Sequence, residues 1–311
     1  MKYYFIVNPN SGNGRGLKKW NRTKTWMDRR GIDYEIFFTT GTGDAMTKAH
    51  ELTKDAGSAD GPIDIITIGG DGTVNEVLNG LCIRDNVTLG YIPSGTGNDF
   101  ARSMHLGQNP QRIMGRFVRG RRIEALDYGV LTCESGELVR RFINSSGAGY
   151  DAAVCHQLEN YRETKSVSLK KPGKIGYILE GARQFLLFKP SRGYIILDSD
   201  RRVEFNDILF ISCHIHPYEG GGFKFGTYAD PKDGMLELCV VSGRNKLRLI
   251  PVLAGGKVMG LHQGRGVHFY QCREAHIHLD RGLPVHTDGE CVRYQTEMDV
   301  RCVQQQLRIL R

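Results

Sequence analysis

Three times in its first ~105 residues the chain passes from a short apolar strand through a glycine-rich turn into a helix-period segment. The clearest case begins at Ile63. Ile63 to Ile68 is a β-branched run of about one buried strand's length. Gly69-Gly70-Asp71-Gly72 follows, and then Val74, Val77, Leu78 and Leu81 fall at i, i+3, i+4 and i+7, one face of a helix. The second case is Tyr3 to Val7, then Asn8-Pro9-Asn10-Ser11-Gly12-Asn13-Gly14-Arg15-Gly16, then a helix from about Leu17 to Arg30. The third is Val87 to Ile92, then Pro93-Ser94-Gly95-Thr96-Gly97-Asn98-Asp99-Phe100-Ala101. Tyr34 to Thr39 and Asp44 to Lys54 add another strand and helix. Such alternation predicts a parallel, layered α/β domain. In open α/β sheets ligands bind at the carboxyl ends of the strands, where all three turns lie.

Glycine lets a backbone turn sharply and approach a ligand closely, and the free amides opening a helix favour an anion such as phosphate. A carboxylate beside phosphate repels it unless a divalent cation lies between them, and magnesium takes oxygens from both. Gly69 to Glu76 therefore reads as a nucleotide-phosphate turn with a metal-linked acid at Asp71, against the plainer reading of a tight turn that binds nothing. The first turn fits neither of two familiar patterns. No Gly-Lys-Ser/Thr closes it, and after Gly12 and Gly14 the third glycine of a dinucleotide fingerprint falls on Leu17.

Beyond Pro110 the texture changes. Arg112, Arg116, Arg119, Arg121 and Arg122 crowd one helix-like segment. From about Ile123, short alternating runs separated by turn residues suit a mainly antiparallel domain. A basic amphipathic stretch at about 170–189 interrupts them, with Ile175, Ile178, Leu179, Ala182, Phe185 and Leu186 at helical spacing. His214-Ile215-His216 and His276-Ile277-His278 each place two imidazoles on one strand face, which can bind a metal but is more ordinarily a half-exposed strand. None of the eight cysteines forms a C-x-x-C pair or zinc-type spacing, so buried reduced thiols are expected. The net charge of +8 and pI near 9.0 favour an anionic partner without choosing among nucleotide, nucleic acid and membrane. No nucleic-acid motif is recognisable, which argues against that partner. No apolar run approaches the ~18 residues of a membrane span, and Met1 to Val7 is too short for a signal peptide's apolar region. A cytoplasmic protein is the expectation.

Taken together, Asn8-Pro9-Asn10-Ser11-Gly12, Gly69-Gly70-Asp71-Gly72-Thr73-Val74-Asn75-Glu76, Gly95-Thr96-Gly97-Asn98-Asp99-Phe100-Ala101, Gly220-Gly221-Gly222, Asp230-Pro231-Lys232-Asp233-Gly234-Met235-Leu236 and Asp288-Gly289-Glu290 stand in one order. In that order they resemble the diacylglycerol kinase catalytic-domain family of lipid kinases, which includes soluble bacterial diacylglycerol kinases and sphingosine kinases. The resemblance covers nearly the whole chain. It implies an α/β ATP-binding domain at 1–122 plus about 293–311, a β-sandwich lipid-substrate domain at 123–292, and an active site in the cleft between them. It implies that Asn8, Pro9, Asn10, Ser11, Gly12, Thr39, Gly69, Gly70, Asp71, Gly72, Thr73, Val74, Asn75 and Thr96 line the ATP site. By the same similarity Asp71 holds the catalytic Mg2+, through water, and Glu290 accepts the proton. A structural metal would use the Asp233 carboxylate with the backbone carbonyls of Asp230 and Met235.

An alcohol kinase must hold phosphates, neutralise charge as the γ-phosphoryl leaves, and orient a hydroxyl. Glu290 is the candidate for the last task, with Asp99 as a rival whose preferred reading is a helix-start cap. The expected function is thus an ATP- and Mg2+-dependent kinase of diacylglycerol or a related lipid alcohol. A sphingoid base, ceramide and a polyprenol remain open as acceptors. The alternatives are an NAD kinase-like enzyme, which shares the Gly-Gly-Asp-Gly turn, and a non-catalytic lipid- or nucleotide-binding regulator. The arginine cluster and the basic stretch suit peripheral docking on an anionic inner membrane surface, or equally a solvated basic face. Homodimers occur in the family, which leaves a homodimer among the expectations.

Overall fold

The computed structural model describes residues 2–57, 61–133, 136–163, 185–264 and 266–311. The first part alternates as the sequence indicates. Strands β1 (Lys2–Val7), β2 (Asp33–Phe38), β3 (Ile63–Gly69) and β4 (Val87–Pro93) pair in parallel in the order β4-β3-β1-β2. Helices α1 (Ser11–Asp28), α2 (Asp44–Thr53), α3 (Asp71–Gly80), α4 (Asp99–Ser103) and α5 (Pro110–Gly120) lie between and after them. The central strands carry apolar residues on both faces because helices cover both. One face packs Ile6, Ile65, Leu89 and Tyr91 against Val74, Val77 and Leu78 of α3 and Ala45 and Ala49 of α2. The other packs Phe5, Val7, Ile66 and Ile68 against Trp20 and Met27 of α1 and Ile113, Met114 and Phe117 of α5.

The helix read from Leu17 starts earlier, at Ser11, but its first turn is broken. Gly12, Asn13 and Gly14 have φ of +58°, +60° and +83°, a left-handed backbone that glycine adopts without a Cβ penalty. On α5 the apolar stripe faces inward, as its arginine-rich opposite face requires. Arg121, just past its end, turns back to the fully buried Asp64, with Nη2 donating to Oδ1 at 3.1 Å and Nε to Oδ2 at 3.3 Å. That arginine thus compensates a buried charge and leaves the set facing outward. Of the basic amphipathic stretch, residues 170–184 lie outside the described residues. No described helix is long and apolar enough to cross a membrane.

The second part is a β-sandwich. Its strands are β5 (Ile123–Cys133), β6 (Leu138–Phe142), β7 (Ser145–Gly149), β8 (Ser191–Leu197), β9 (Arg201–His214), β10 (Leu236–Ser242), β11 (Val267–Cys272), β12 (Glu274–Leu283), β13 (Val285–Thr287), β14 (Glu290–Cys291) and β15 (Gln295–Leu310). Helix α6 (Tyr150–Glu163) follows β7, and α7 (Lys246–Gly255) follows β10. Strand β9 serves both layers: Arg201 to Ile208 pairs with β8, and Phe210 to His214 pairs with β7 and β10. Between the layers lie Leu131, Phe142, Ile195, Ile211, Leu238, Ile277 and Val300.

Strand β15 joins the two parts. It pairs antiparallel with β12 and β5, and its end pairs in parallel with β4 at Ile309↔Leu89. The four-stranded parallel sheet and the sandwich therefore share one continuous hydrogen-bonded ladder, β14-β13-β7-β9-β8-β12-β15-β4-β3-β1-β2. This places the hairpin carrying Glu290 beside the carboxyl end of β3.

Candidate active site

The three glycine turns touch one another. Ser94 N–H donates to Gly69 O at 2.7 Å, and the Ser11 and Ser94 hydroxyls are 2.6 Å apart. Arg15 Nη2 donates to Gly95 O at 2.7 Å. Asn8 holds the first turn through its Oδ1, which accepts from Asn10 N–H at 3.1 Å, and reaches the second through Nδ2, which donates to Thr73 Oγ1 at 3.3 Å. Lys19 of α1 donates to Pro93 O. Burial and the neighbouring Arg15 and Arg22 charges lower its amine to about 8.

A Cβ on Gly95 would stand 2.5 Å from the Cα of Gly70, and one on Gly12 would overlap Ser94 O. These are backbone neighbours that cannot rotate away. We expect Gly95→Ala to part the second and third turns, weaken nucleotide binding and cut turnover by ~10²-fold, since ångström-scale misplacement costs about that much. The overpacking should cost about 1–3 kcal/mol. Turnover assays and a denaturant melt check both numbers, and unchanged affinity in a nucleotide titration would refute the close-approach role.

Asp71 opens α3 and points toward the third turn, where its Oδ1 accepts from Phe100 N–H at 3.3 Å. Burial pushes its carboxyl up to about 7, helped by the charges of Asp99 and Asp288. Asp99 is the first residue of α4, but Asn98 occupies the cap position and Asp99 does not cap the helix. Its Oδ2 accepts from Gly221 N–H at 2.7 Å, and its Oδ1 from Arg102 Nη1 at 2.5 Å. Asp99 thus stands at a helix start as expected, and only its capping role is corrected. It clamps the triple-glycine loop of the sandwich onto the α/β domain, which explains why glycines stand at 220–222, with φ of +59°, +81° and +107°.

From the other side, Glu290 on β14 packs against the second turn. A Cβ on Gly72 would overlap Glu290 Oε1, so the glycine leaves room for this carboxylate in its present position next to the second turn. Asp288, which a turn-pair reading leaves in solvent, is half-buried. It accepts from Asn75 Nδ2 at 2.7 Å and from the amides of Ile143, Asn144 and Ser145 at 2.8, 2.7 and 3.0 Å. Asn75 thus ties α3 to the sandwich.

The remaining expected residues are dispersed. Thr39 is buried at the end of β2, its N–H on Val7 O at 2.9 Å, and Thr96 is exposed at the tip of the third turn. Asp230, Asp233 and Met235 share a turn away from Asp71. There Asp233 Oδ1 accepts from Met235 N–H at 2.9 Å and Asp230 Oδ1 from Lys232 N–H at 3.2 Å. Asp127 of β5, which sequence reasoning missed, joins them: it is fully buried and accepts from the amides of Gly234 and Gln305, both at 2.7 Å. Burial raises the carboxyls of both Asp127 and Asp233.

The histidine pairs part company. His214 and His216 are buried, and His214 Nε2 lies 2.9 Å from Ser212 Oγ while His216 meets the Phe100 ring edge-on. Burial lowers both imidazoles to about 3. His276 and His278 are half-exposed among Glu297, Asp299 and Asp280.

Comparison with known proteins agrees with this architecture. Residues 2–130 match the model of the diacylglycerol kinase catalytic domain, and residues 144–311 match the YegS C-terminal NAD kinase beta sandwich-like domain. The chain is similar to a diacylglycerol kinase of Mycobacterium tuberculosis, with 27% identity over 289 residues, covering 92% of this chain and 87% of that one. It is 26% identical over 287 residues to a diacylglycerol kinase of Bacillus subtilis, covering 92% and 88%. A solved diacylglycerol kinase structure from Bacillus anthracis shares the fold at a TM-score of 0.69 and 21% identity, covering 99% and 96%. The chain belongs to the diacylglycerol kinase family and is a lipid kinase.

Proposed function

We propose that this lipid kinase transfers the γ-phosphoryl group of ATP, with Mg2+, to the hydroxyl of diacylglycerol or a close lipid alcohol, in the cleft between its two domains. The observation that carries this reading is the seating of Glu290 against Gly72, next to Asp71. It brings a proton acceptor from the sandwich to a glycine-rich phosphate turn from the α/β domain. The touching turns of Asn8–Gly12, Gly69–Asn75 and Ser94–Gly97 offer backbone amides and the Ser11 and Ser94 hydroxyls to phosphate oxygens. Asp71, crowded by Asp99 and Asp288, is a donor that a cation would suit, and Mg2+ there would neutralise charge developing on the transferring phosphoryl group. Arg15 and Lys19 border the first turn and add positive charge. Among the described residues Asp127, Asp230 and Asp233 do not converge into a three-ligand cluster, so a structural cation there would rest on the Asp233 carboxylate with the Asp230 and Met235 backbone carbonyls.

Transfer of labelled phosphate from ATP onto mixed micelles of diacylglycerol, a sphingoid base, ceramide or a polyprenol tests the acceptor. NAD is run as a separate acceptor. We expect label on diacylglycerol, at a rate within the ~1–100 per second typical of kinases. Label on NAD alone would overturn the acceptor, and ATP binding without any transfer would favour the regulator. Flotation with anionic and neutral liposomes tests peripheral docking by the outward arginines of α5. Equal binding to both would sink its electrostatic form.

A further inference from the structure

Behind the kinase cleft, three ionisable side chains meet inside the sandwich. Asp151 on the first turn of α6, Glu219 before the triple-glycine loop, and His286 on β13 each bring one ligand atom within 4.8 Å of the others, and all three are buried. Gly147 of β7 makes the room, because a Cβ there would overlap Asp151 Oδ2 and stand 2.8 Å from His286 Nε2. Two buried carboxylates beside one imidazole are costly unless something neutralises them. The hydrogen bonds leave part of this set unused. His286 Nε2 lies 3.2 Å from Asp151 Oδ2, but Asp151 Oδ1 and Glu219 Oε2 have no hydrogen-bond partner among the described residues. His214 Nε2 is 3.7 Å from Glu219 Oε2, beyond hydrogen-bond reach, and is engaged with Ser212.

We propose that Asp151 and Glu219 hold a hard divalent cation, Mg2+ or Mn2+, with His286 orienting Asp151 from behind. The tautomer decides the role of His286. Its Nδ1 accepts from Gly289 N–H at 3.1 Å, so the ring proton sits on Nε2 and donates to Asp151 Oδ2. Zinc ligation through Nε2 would move that proton to Nδ1, against the Gly289 amide. An ion held by oxygens leaves the bond intact and uses the two unpartnered carboxylate oxygens, the ligand type that Mg2+ and Mn2+ prefer. An imidazole that fixes a ligating carboxylate is a common supporting arrangement. The cation would not touch the reacting atoms. It would brace two segments that do face the cleft: the loop whose Gly221 amide holds Asp99, and the turn between His286 and Glu290.

Crystals of the full chain soaked in Mn2+ should show an anomalous peak between Asp151 and Glu219. By electron paramagnetic resonance titration of the metal-stripped chain, Glu219→Gln and Asp151→Asn should each bind one Mn2+ fewer than the wild type. His286→Gln should keep the count with affinity reduced by ~10-fold or more. A wild-type map with no peak there overturns the proposal even if a variant fails to fold. So does an equal Mn2+ count in folded Glu219→Gln, or a zinc peak bonded to His286 Nε2.

Discussion

Glu290→Gln should lower kcat by ~10²–10⁴-fold, the usual worth of a positioned general base, and leave nucleotide affinity nearly unchanged. The substitution keeps shape and volume, so the packing of this side chain against Gly72 survives while its ability to take a proton is lost. The other acids near Asp71 serve to join the two parts of the chain. Asp99 is held by Gly221 and Arg102, and Asp288 by Asn75 and three amides. Asp99→Asn should therefore act differently, loosening the glycine loop and raising KM along with lowering kcat. Steady-state kinetics on lipid micelles, with nucleotide binding measured separately, distinguishes the two. A Glu290→Gln enzyme within tenfold of wild type would remove Glu290 from the proton transfer.

What could be read from the chain divides along a physical line. Strands β1, β3 and β4 were legible because each is an apolar run buried on both faces and closed by glycines, a local pattern. Asp71 could be singled out because a carboxylate among phosphate-type glycines calls for a cation, and it stands where that reading puts it, at the start of α3. Glu290 came only through the family resemblance, since Asp-Gly-Glu after a short strand is an ordinary turn by spacing. The roles of Asp99, Asp127 and Asp288 were not legible. Each is a lone acid whose partners lie 122, 107 and 213 residues away, at Gly221, Gly234 and Asn75. The join of β15 to β4 was equally hidden from spacing, because Ile309 alternates like any sandwich residue and only its pairing with Leu89 carries it into the parallel sheet. Long-range pairing of this kind leaves no period in a single sequence.

Asp71→Asn should abolish Mg2+-dependent transfer, by ~10³-fold or more, and at the same time make the metal-free protein more stable at alkaline pH. The two effects have one cause. The carboxyl of Asp71 is raised to about 7 by burial and by the charges of Asp99 and Asp288, whereas an unfolded aspartate titrates near ~3.9. The folded chain therefore binds more protons than the unfolded one between those values, and stability falls as pH rises through that window. Above pH ~7 the ionised side chain costs the apo fold about 2–4 kcal/mol, a strain that a bound cation relieves. Asparagine carries no charge to bury. Its variant should melt above the wild type at pH 8 in chelator, by several degrees, and the gap should narrow as pH falls below about 7 and close near pH ~4, where the unfolded aspartate is protonated too. Saturating Mg2+ with nucleotide should close the gap at pH 8 as well, because only the wild type gains from the ion. An Asp71→Asn chain that melts below wild type at pH 8 would show that the acid is held by its hydrogen bonds and not strained by its neighbours. The site would then owe its cation affinity to phosphate alone.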